Sequence, residues 1–497
     1  MHFYSVFDII GVRVEKTYTF FHGSIVMKIR KTGKIKRAVL LMTLAVTVLC
    51  MPFVPSQAYR RQRVRGTKIN ASNFPDDNFR TYVDKTFDKN RDGLLSANEI
   101  KDAVAIDLKK DFQGTDLKGL SFFTELESLS IYADYWEPGE KKSMSFYVEE
   151  VDISGNPKLK EVKIASNKLK GLDLSKNPKL ELLYLASYQD KIDLTNNTAL
   201  KELSIRYCKP EKLDLSQNTE LTHLDLRCES LKKLDLSENT ELEDVTVSCS
   251  LSDLDLSGQK HLKTLDVEGN GLERLKVHMD ELTRLNCRNN RLEKLKTEKA
   301  GELKELICDN NGISELDLSG CGKLKTLSCD GMKLTGLDLS HTGKLQKLSC
   351  AGNELESLDT THCPELKQLI AGGNRLKSIN LNENNSLELA DLSNNELESL
   401  QLGESSTLTC LYVNNNRLTD LDLAGAAGLE EVECRENSLK KIKTGKDLVY
   451  LNCEDNELTE VDVFESPRLQ ILCCRKNRLK ALDVTGNKDL KTLLCDE

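Results

Sequence analysis

The chain has 497 residues with 79 acidic and 70 basic side chains, a net charge of −9, and only 5% of its residues are aromatic. Residues 1–58 hold eight Lys or Arg and two Asp or Glu, so residues 59–497 carry a charge of −15 against −9 for the whole chain. This acidic surface argues against nucleic acid as a partner, because a phosphate backbone attracts basic proteins. We expect no transmembrane segment in the mature chain, since no later segment is apolar enough.

The N-terminal residues are typical of a secretory signal. The basic segment 27–37 precedes the apolar segment 38–49, which is too short to span a bilayer comfortably. Ser56 and Ala58 then provide the small side chains that a signal peptidase requires. The order of these features predicts export from the cell.

These features divide the first part of the chain. We expect residues 1–58 to be a signal peptide region, in which residues 1–26 lie upstream of the true start at Met27. Residues 59–66 form a basic linker. Because its arginines directly follow the expected cleavage site, an uncleaved membrane anchor is the alternative.

Residues 67–103 predict a small helical cap around a calcium-binding loop. The segment DKNRDGLLSANE (88–99) matches the EF-hand pattern D-x-N-x-D-G-x5-E, and the residues before it have the spacing of an amphipathic helix. The alternative is a cap whose loop has lost its metal. Because all five side-chain ligand positions are present, we expect Ca²⁺ as a weakly bound structural cofactor. The template assigns side-chain ligands to Asp88, Asn90, Asp92, Ser96 and Glu99 and a main-chain carbonyl ligand to Leu94.

From about residue 150 to the end, the chain repeats one pattern. Its clearest copies are offset by 21 residues: LTRLNCRNNRL (282–292), LKELICDNNGI (303–313), LKTLSCDGMKL (324–334) and LQKLSCAGNEL (345–355). A fixed short period with leucines at constant offsets predicts a solenoid, in which each turn packs only against its neighbours. Counted from the first leucine, positions four and six face the interior of a short strand, and the Asn at position nine satisfies main-chain groups.

The repeat register predicts the extent of the solenoid. We expect it to cover residues 104–497, with two weaker first turns centred on Leu108 and Ile131. An insertion at 132–150 contains the only tryptophan, Trp136. The sequence ends half a turn into a repeat and shows no C-terminal cap, which favours a truncated sequence over an end that docks on another molecule.

The positions of the cysteines predict that they are buried core residues rather than members of a disulfide framework. Eight of the 16 cysteines occupy position six, where other turns have Leu, Ile or Val. Side chains on adjacent turns lie ~5 Å apart, wider than the ~3.8 Å between the Cβ atoms of a disulfide. The alternative is a disulfide among Cys208, Cys228 and Cys249, which follow the strands of successive turns.

The pattern LxxLx(L/C)xxNxL, with its cysteine ladder in a 21-residue repeat, resembles the internalin-like leucine-rich-repeat proteins that Gram-positive bacteria secrete. The resemblance covers roughly residues 67–497. It implies a curved, right-handed solenoid with short parallel strands on the concave face and a truncated EF-hand-like helical cap. It also implies a secreted or cell-surface protein. The cell-wall modules and sorting signals of many members are missing from this chain.

Catalysis has little support in the sequence, and we expect no enzyme. The five histidines after residue 58 lie on different turns, and none is part of a repeated pattern with a serine or a carboxylate. The acidic residues recur at solvent positions of the repeat, as a hydrated face requires. The histidines are His223, His261, His278, His341 and His362.

We predict that the concave face is the binding site, because apolar side chains at its solvent positions are typical of an interface. We expect it to bind an extracellular protein or glycan. A second candidate patch contains Leu182, Tyr184 and Tyr207, near the insertion. The alternative function is a structural component of the cell surface that self-assembles through its C-terminal edge. The main patch contains Ile370, Leu389, Tyr412, Tyr450 and Ile471, with Arg435 and Arg475 beside them.

Overall fold

A computed structural model describes most of the chain after residue 65. The expected signal region, the linker before residue 66 and Trp136 lie outside the described part, apart from a short antiparallel pair of strands, β1 (Phe20–Phe21) and β2 (Ser24–Ile25). Within the described residues, no helix combines the length and the apolar character needed to cross a membrane. The described residues are 20–21, 24–25, 66–109, 112–131, 147–404, 406–423 and 425–496.

Two helices and a small antiparallel pair of strands form the region before the first repeat. Helix α1 (Asp77–Phe87) begins after Asp76, whose carboxylate accepts a hydrogen bond from the Phe79 amide at 2.8 Å, and it buries one apolar face. Helix α2 (Ala97–Asp102) begins with a capping box formed by Ser96 and Glu99. Strand β3 (Thr67–Lys68), which precedes α1, pairs with strand β4 (Leu94–Leu95), which lies between the two helices in sequence.

A ladder of 19 parallel strands forms the rest of the described fold, one strand for each turn. Each strand pairs with the next along the chain, as in β7 to β8, where Ile164 lies opposite Leu185. The solenoid predicted from the sequence is therefore confirmed. Its strands are β5 (Ala105–Leu108), β6 (Ser128–Ile131), β7 (Glu161–Ala165), β8 (Leu182–Ala186), β9 (Glu202–Arg206), β10 (His223–Arg227), β11 (Asp244–Val247), β13 (Thr264–Asp266), β15 (Arg284–Asn286), β16 (Glu305–Ile307), β17 (Thr326–Ser328), β18 (Lys347–Ser349), β19 (Gln368–Ile370), β21 (Leu389–Asp391), β23 (Cys410–Tyr412), β24 (Glu431–Glu433), β26 (Tyr450–Asn452), β28 (Ile471–Cys473) and β29 (Thr492–Leu494).

Short parallel pairs also occur on the return path between the main strands. They form where an LDLS-type segment of one turn lies beside that of the next, so the alternating leucines reach the core from the opposite side. A 3-10 turn, Leu120–Phe122, lies on the return path of the first turn. The return strands are β12 (Asp253–Leu256) with β14 (Arg274–Val277), β20 (Ser378–Asn380) with β22 (Ser399–Gln401), and β25 (Lys441–Lys443) with β27 (Glu460–Asp462).

The core is one continuous column of side chains from positions four and six. Position six is buried from Leu108 to Cys474, and only Cys495, in the last turn, is exposed. The side chains at positions three and five alternate with these and face solvent. We call the surface that they form the strand face, which is the face expected to be concave.

The asparagines at position nine form a second, polar column inside the solenoid. In Asn311 the side-chain amide donates to the carbonyl oxygens of Cys287 at 3.0 Å and Cys308 at 2.9 Å, and its oxygen accepts from the Leu292 amide at 3.0 Å. These main-chain groups belong to two turns, so each asparagine joins neighbouring repeats. The predicted role of this position is confirmed. The same donor pattern occurs in Asn270, Asn290, Asn353, Asn374, Asn395, Asn416, Asn437, Asn456 and Asn477.

A further asparagine ladder lies on the return path and was missed in the sequence analysis. Asn218, for example, donates to the carbonyl oxygens of Leu194 at 3.1 Å and Asn197 at 2.8 Å in the turn before it. The signal was present in the sequence, because an asparagine recurs two residues after the LDLS or IDLT segment. Its members include Asn156, Asn177, Asn197, Asn218 and Asn239.

The cysteines of the described residues are all free thiols. The disulfide considered among Cys208, Cys228 and Cys249 is absent from the structure, where these three thiols are buried. At position six, the Cys308 and Cys329 thiols lie 3.4 Å from carbonyl oxygens of the next strand. Cysteine therefore acts here as a small core residue.

This burial predicts which thiols react. Burial raises the pKa of the Cys287, Cys350 and Cys434 thiols to about 12, so little nucleophilic thiolate exists near neutral pH. We expect iodoacetamide to label exposed Cys495 and half-buried Cys410 first, and the ladder thiols only after unfolding in urea. Peptide mapping by mass spectrometry measures this order. Labelling of Cys287 in the native protein at the rate of Cys495 would contradict it.

Candidate functional site

The segment 88–99 connects α1 to α2 through a tight turn. The Asp88 carboxylate accepts hydrogen bonds from the main-chain amides of Asp92 at 3.2 Å and Gly93 at 2.8 Å, which wraps the loop around its first side chain. Gly93 has a φ of 73°, a conformation that favours glycine. After this turn, β4 pairs with β3 of the same chain.

Glu99 is oriented differently from what the calcium template requires. Its two carboxylate oxygens accept hydrogen bonds from the main-chain amides of Lys89 at 2.9 Å and Ser96 at 2.8 Å. Burial opposes ionisation of Glu99, but the hydrogen bonds from Ser96 and Lys89 outweigh it and lower the pKa of the carboxyl. The described residues contain no group of three or more His, Cys, Asp or Glu side chains arranged to hold a metal. Asp88 and Glu99, the first and last ligands of the calcium template, therefore both accept hydrogen bonds from main-chain amides.

The main patch predicted from the sequence lies on the strand face. We call it the late patch: Ile370, Leu389, Tyr412, Tyr450 and Ile471. Ile370 is 37% exposed and the other four are half-buried. The strand register places them in two rows. Leu389, Cys410, Glu431, Tyr450 and Ile471 follow one another in the position-three row, and Ile370, Asp391, Tyr412, Glu433 and Asn452 follow one another in the position-five row.

The two arginines predicted beside the late patch lie at position seven, just beyond the strands. Both Arg435 and Arg475 are exposed, and the Arg435 guanidinium pairs with Glu436 at 3.0 Å. The sequence analysis missed the two glutamates of β24, which the register places between the tyrosines. Burial raises the pKa of Tyr412, with the Cys410 thiol and the Glu431 carboxylate beside its hydroxyl. Polar and apolar groups therefore alternate across this patch.

The second predicted patch is divided by the structure. Leu182 and Tyr184 line a shallow depression of about 470 Å³ on the strand face, and the Arg206 guanidinium lies 5.6 Å from the centre of the Tyr184 ring. Tyr207 lies outside this depression, after β9, with its ring 6.4 Å from that of Tyr188. Tyr188 is 56% exposed, and the sequence analysis did not identify it.

Tyr207 has a left-handed backbone, with a φ of 62°. At the same repeat position, Asn289, Asn310 and Asn394 have similar angles, and several other turns have glycine there. A bulky residue in this conformation costs about 1–2 kcal/mol, and asparagine tolerates it better. We therefore expect Tyr207→Asn to increase the free energy of unfolding by about 1 kcal/mol, measured by urea denaturation.

A matched control separates the backbone effect from the loss of the ring contact. Tyr188→Asn removes the same pair of rings at a position whose φ is not left-handed, so it should lower stability slightly or leave it unchanged. Equal effects of the two substitutions would mean that the backbone of Tyr207 stores no strain. Strain retained in an exposed residue is a feature of functional positions.

The described histidines show no shared arrangement. His223 lies 2.9 Å from the Asp244 carboxylate, and His261 lies 3.7 Å from that of Glu281. The Ser340 hydroxyl lies 2.9 Å from Nδ1 of His341, its neighbour in sequence. These pairs belong to separate turns of the ladder.

The parallel ladder, the buried leucines and the asparagine column define the class of this protein: it is a leucine-rich-repeat solenoid. No family model matches the chain, and no curated protein matches its sequence. Comparison with solved structures identifies similar folds.

The functional domain of InlJ from Listeria monocytogenes, which includes a cysteine ladder, is similar at 22% identity and a TM-score of 0.54, over 85% of this chain and 78% of that chain. YopM from Yersinia enterocolitica is similar at 21% identity and a TM-score of 0.55, over 84% of this chain and 100% of that chain. The Arabidopsis receptor kinase HAESA, in complex with the peptide hormone IDA and the co-receptor SERK1, is similar at 18% identity and a TM-score of 0.52, over 76% of this chain and 78% of that chain. At these identities the similarity concerns the fold.

Proposed function

We propose that this protein is an exported binding protein of the internalin-like kind, which recognises an extracellular protein through the late patch of its strand face. The observation that carries the proposal is the placement of five apolar or aromatic side chains on neighbouring strands of one surface. Isolated apolar residues on a surface have no meaning of their own. Tyrosines and apolar side chains that recur across one surface, interleaved with polar side chains, have the composition of an interface hot spot.

The rigidity of the strand face also supports this proposal. Each strand of the patch is paired on both sides, and the asparagines at position nine join each turn to the next. Side chains on such a scaffold lose little conformational freedom when a partner binds. HAESA, a protein of similar fold, has been solved in complex with a peptide hormone, and we extend peptide or protein recognition to this chain as part of the proposal.

The test uses three full-length baits for extracellular proteins: wild type, a double variant of the late patch and a single variant as the control. Tyr412→Ser with Ile471→Ser alters the late patch. Phe464→Ser alters an apolar side chain that is 55% exposed and lies outside the strand face. We expect wild type and Phe464→Ser to capture the same partner, and the late-patch variant to lose it.

The same experiment distinguishes a protein partner from the other candidates. Protease treatment of the extracellular material should abolish capture, whereas periodate treatment should abolish it if the ligand is a glycan. Light scattering of wild type identifies self-assembly as concentration-dependent growth in mass. Capture that is equal for all three baits would overturn the proposal.

We also propose that calcium stabilises the N-terminal cap. The Asp88 side of the loop supports this proposal, since it is folded around its carboxylate. Calcium binding requires Glu99 to leave two main-chain amides, so we expect a Kd on the order of 10⁻⁴–10⁻³ M. At ten times the Kd, the gain in stability is only ~1.4 kcal/mol. The role is therefore structural.

Calorimetric titration of the full chain tests the calcium proposal. Asp92→Ala is the sharpest variant, because it removes the ligand oxygens of a residue that is exposed and does not belong to the capping box of α2. We expect calcium to release heat with wild type and not with Asp92→Ala or Glu99→Ala, and magnesium to release much less heat with wild type. Equal heats for wild type and both variants would reject the site.

A further inference from the structure

The charged groups of the strand face are paired unevenly along the ladder. In the early turns, acidic groups face cations on neighbouring strands: the Asp225 carboxylate lies 2.5 Å from the Arg206 guanidinium, and the Glu305 carboxylate lies 3.1 Å from the Arg284 guanidinium. On β24, Glu431 and Glu433 take part in no ion pair among the described residues. Asn414, an uncharged neighbour, donates a hydrogen bond to Glu433 at 2.7 Å.

The strand register surrounds these two glutamates with tyrosines. Glu431 lies between Cys410 and Tyr450 in the position-three row, and Glu433 lies between Tyr412 and Asn452 in the position-five row. Adjacent strands are ~4.8 Å apart, so each tyrosine is the direct neighbour of a carboxylate. We call Tyr412, Glu431, Glu433 and Tyr450 the tyrosine–glutamate box.

All four side chains of the box are half-buried. Neutral donors lie beside the two carboxylates: the Tyr412 hydroxyl beside Glu431, and the Tyr450 hydroxyl and the Asn414 amide beside Glu433. Burial and the Glu433 charge raise the pKa of Tyr450, which shows the negative field at this surface. A cation that enters the box gains from both carboxylates.

The groups outside the box restrict what kind of cation fits. On one side the direct neighbours of the box are Cys410 and Asp391, with Leu389 and Ile370 one strand further in the same two rows. On the other side Ile471 is the direct neighbour of Tyr450. A free inorganic ion would leave these apolar side chains exposed. A side chain that carries its charge at the end of an apolar stem covers them.

We propose that the tyrosine–glutamate box receives a lysine or arginine side chain of the protein partner, with apolar residues of the same partner segment on Leu389 and Ile471. This inference rests on the proposed function and specifies the chemistry of the ligand. It assigns the late patch to a segment in which a basic residue lies between apolar residues. Charge complementarity with the two unpaired glutamates is what selects this occupant.

Four acetylated pentapeptides, Ser-Leu-Xaa-Leu-Ser with Xaa as Lys, Arg, Gln or Glu, test the proposal by calorimetry or fluorescence anisotropy with the full chain. We expect the Lys and Arg peptides to bind about tenfold more tightly than the Gln peptide, and salt to weaken that difference. Glu431→Gln with Glu433→Gln keeps the shape of the box and removes its charge, so it should abolish the difference.

Glu383→Gln with Glu398→Gln is the matched control. Both residues are exposed outside the strand face, and the change in net charge is the same. This control should keep the preference for Lys and Arg, because only nonspecific attraction to an acidic protein responds to net charge. Equal affinity for the Lys, Gln and Glu peptides, or equal losses in the two double variants, would overturn the proposal.

Two readouts keep folding and function separate. Since a glutamine oxygen accepts the same neutral hydrogen bonds, such as the one from Asn414, the Glu431→Gln, Glu433→Gln variant should melt within about two degrees of wild type. A larger fall would mean that the two carboxylates serve the fold and would overturn the proposal. Capture of the natural partner distinguishes a failure of the tyrosine–glutamate box from a failure of the proposed function. If the Tyr412→Ser, Ile471→Ser variant loses the partner and the Glu431→Gln, Glu433→Gln variant retains it, the box is wrong and the proposed function stands.

Discussion

Substitution of Phe123 by alanine should lower stability by about 3–5 kcal/mol and release the N-terminal cap from the solenoid. Phe123 is fully buried at the end of the 3-10 turn of the first repeat. Its ring lies 5.0 Å from that of Phe87 and 6.3 Å from that of Phe74, both in the cap region. The substitution therefore leaves a cavity where the cap meets the first turn.

The loss should remain local, because each turn of a solenoid contacts only its neighbours. We expect chemical denaturation to show an early transition for the cap, followed by the transition of the repeats, and limited proteolysis to cleave the cap first. Phe464→Ala is the control, since it removes the same ring from a position that is 55% exposed. A single unchanged transition in the Phe123 variant would mean that this ring does not hold the cap.

Asn311→Ala should lower stability by about 2–4 kcal/mol, although the side chain is small and polar. The substitution leaves two buried carbonyl oxygens and one buried amide without the partners that Asn311 provides. Asn311 is buried, with 8% of its surface exposed, so these groups have little access to solvent. Leaving buried polar groups unpaired costs more than the net gain from making the same hydrogen bonds.

Urea denaturation of the full chain measures this effect, and two variants control it. Asn196→Ala removes an asparagine that is exposed on the return path, so it should change stability by less than about 0.5 kcal/mol. Asn311→Asp keeps the acceptor and loses both donors, and it should be restored partly at low pH, where protonation removes a buried charge. Equal stabilities for Asn311→Ala and Asn196→Ala would show that position nine contributes little.

The asparagine column also bears on function. The loop after each strand begins at position nine, and the side chains of the late patch lie on the strands that these asparagines join. Local opening at one asparagine should therefore loosen the neighbouring part of the strand face. A rigid face is the condition under which a few half-buried side chains bind a partner well.

The solenoid could be predicted from the sequence because its contacts are local and periodic. Leu285 and Cys287 meet the same positions one turn away, so a fixed spacing in sequence becomes a fixed spacing in space. The role of Asn311 followed from the same reasoning. The second ladder, with Asn218, had its own signal after the LDLS segments and was overlooked.

The details of the candidate sites were decided by the tertiary structure. Which charges are paired depends on which side chains lie opposite each other across strands, so Asp225 pairs with Arg206 while Glu431 and Glu433 have tyrosines as neighbours. The motif at 88–99 likewise specifies oxygen ligands, but only the folded loop shows that Glu99 is bound by the amides of Lys89 and Ser96. The repeat sets where each residue lies along the ladder, because its contacts recur with the period of the sequence. The partner of each polar group depends on the neighbouring turn, whose residues differ at most solvent positions, and only the three-dimensional structure shows which partner is reached.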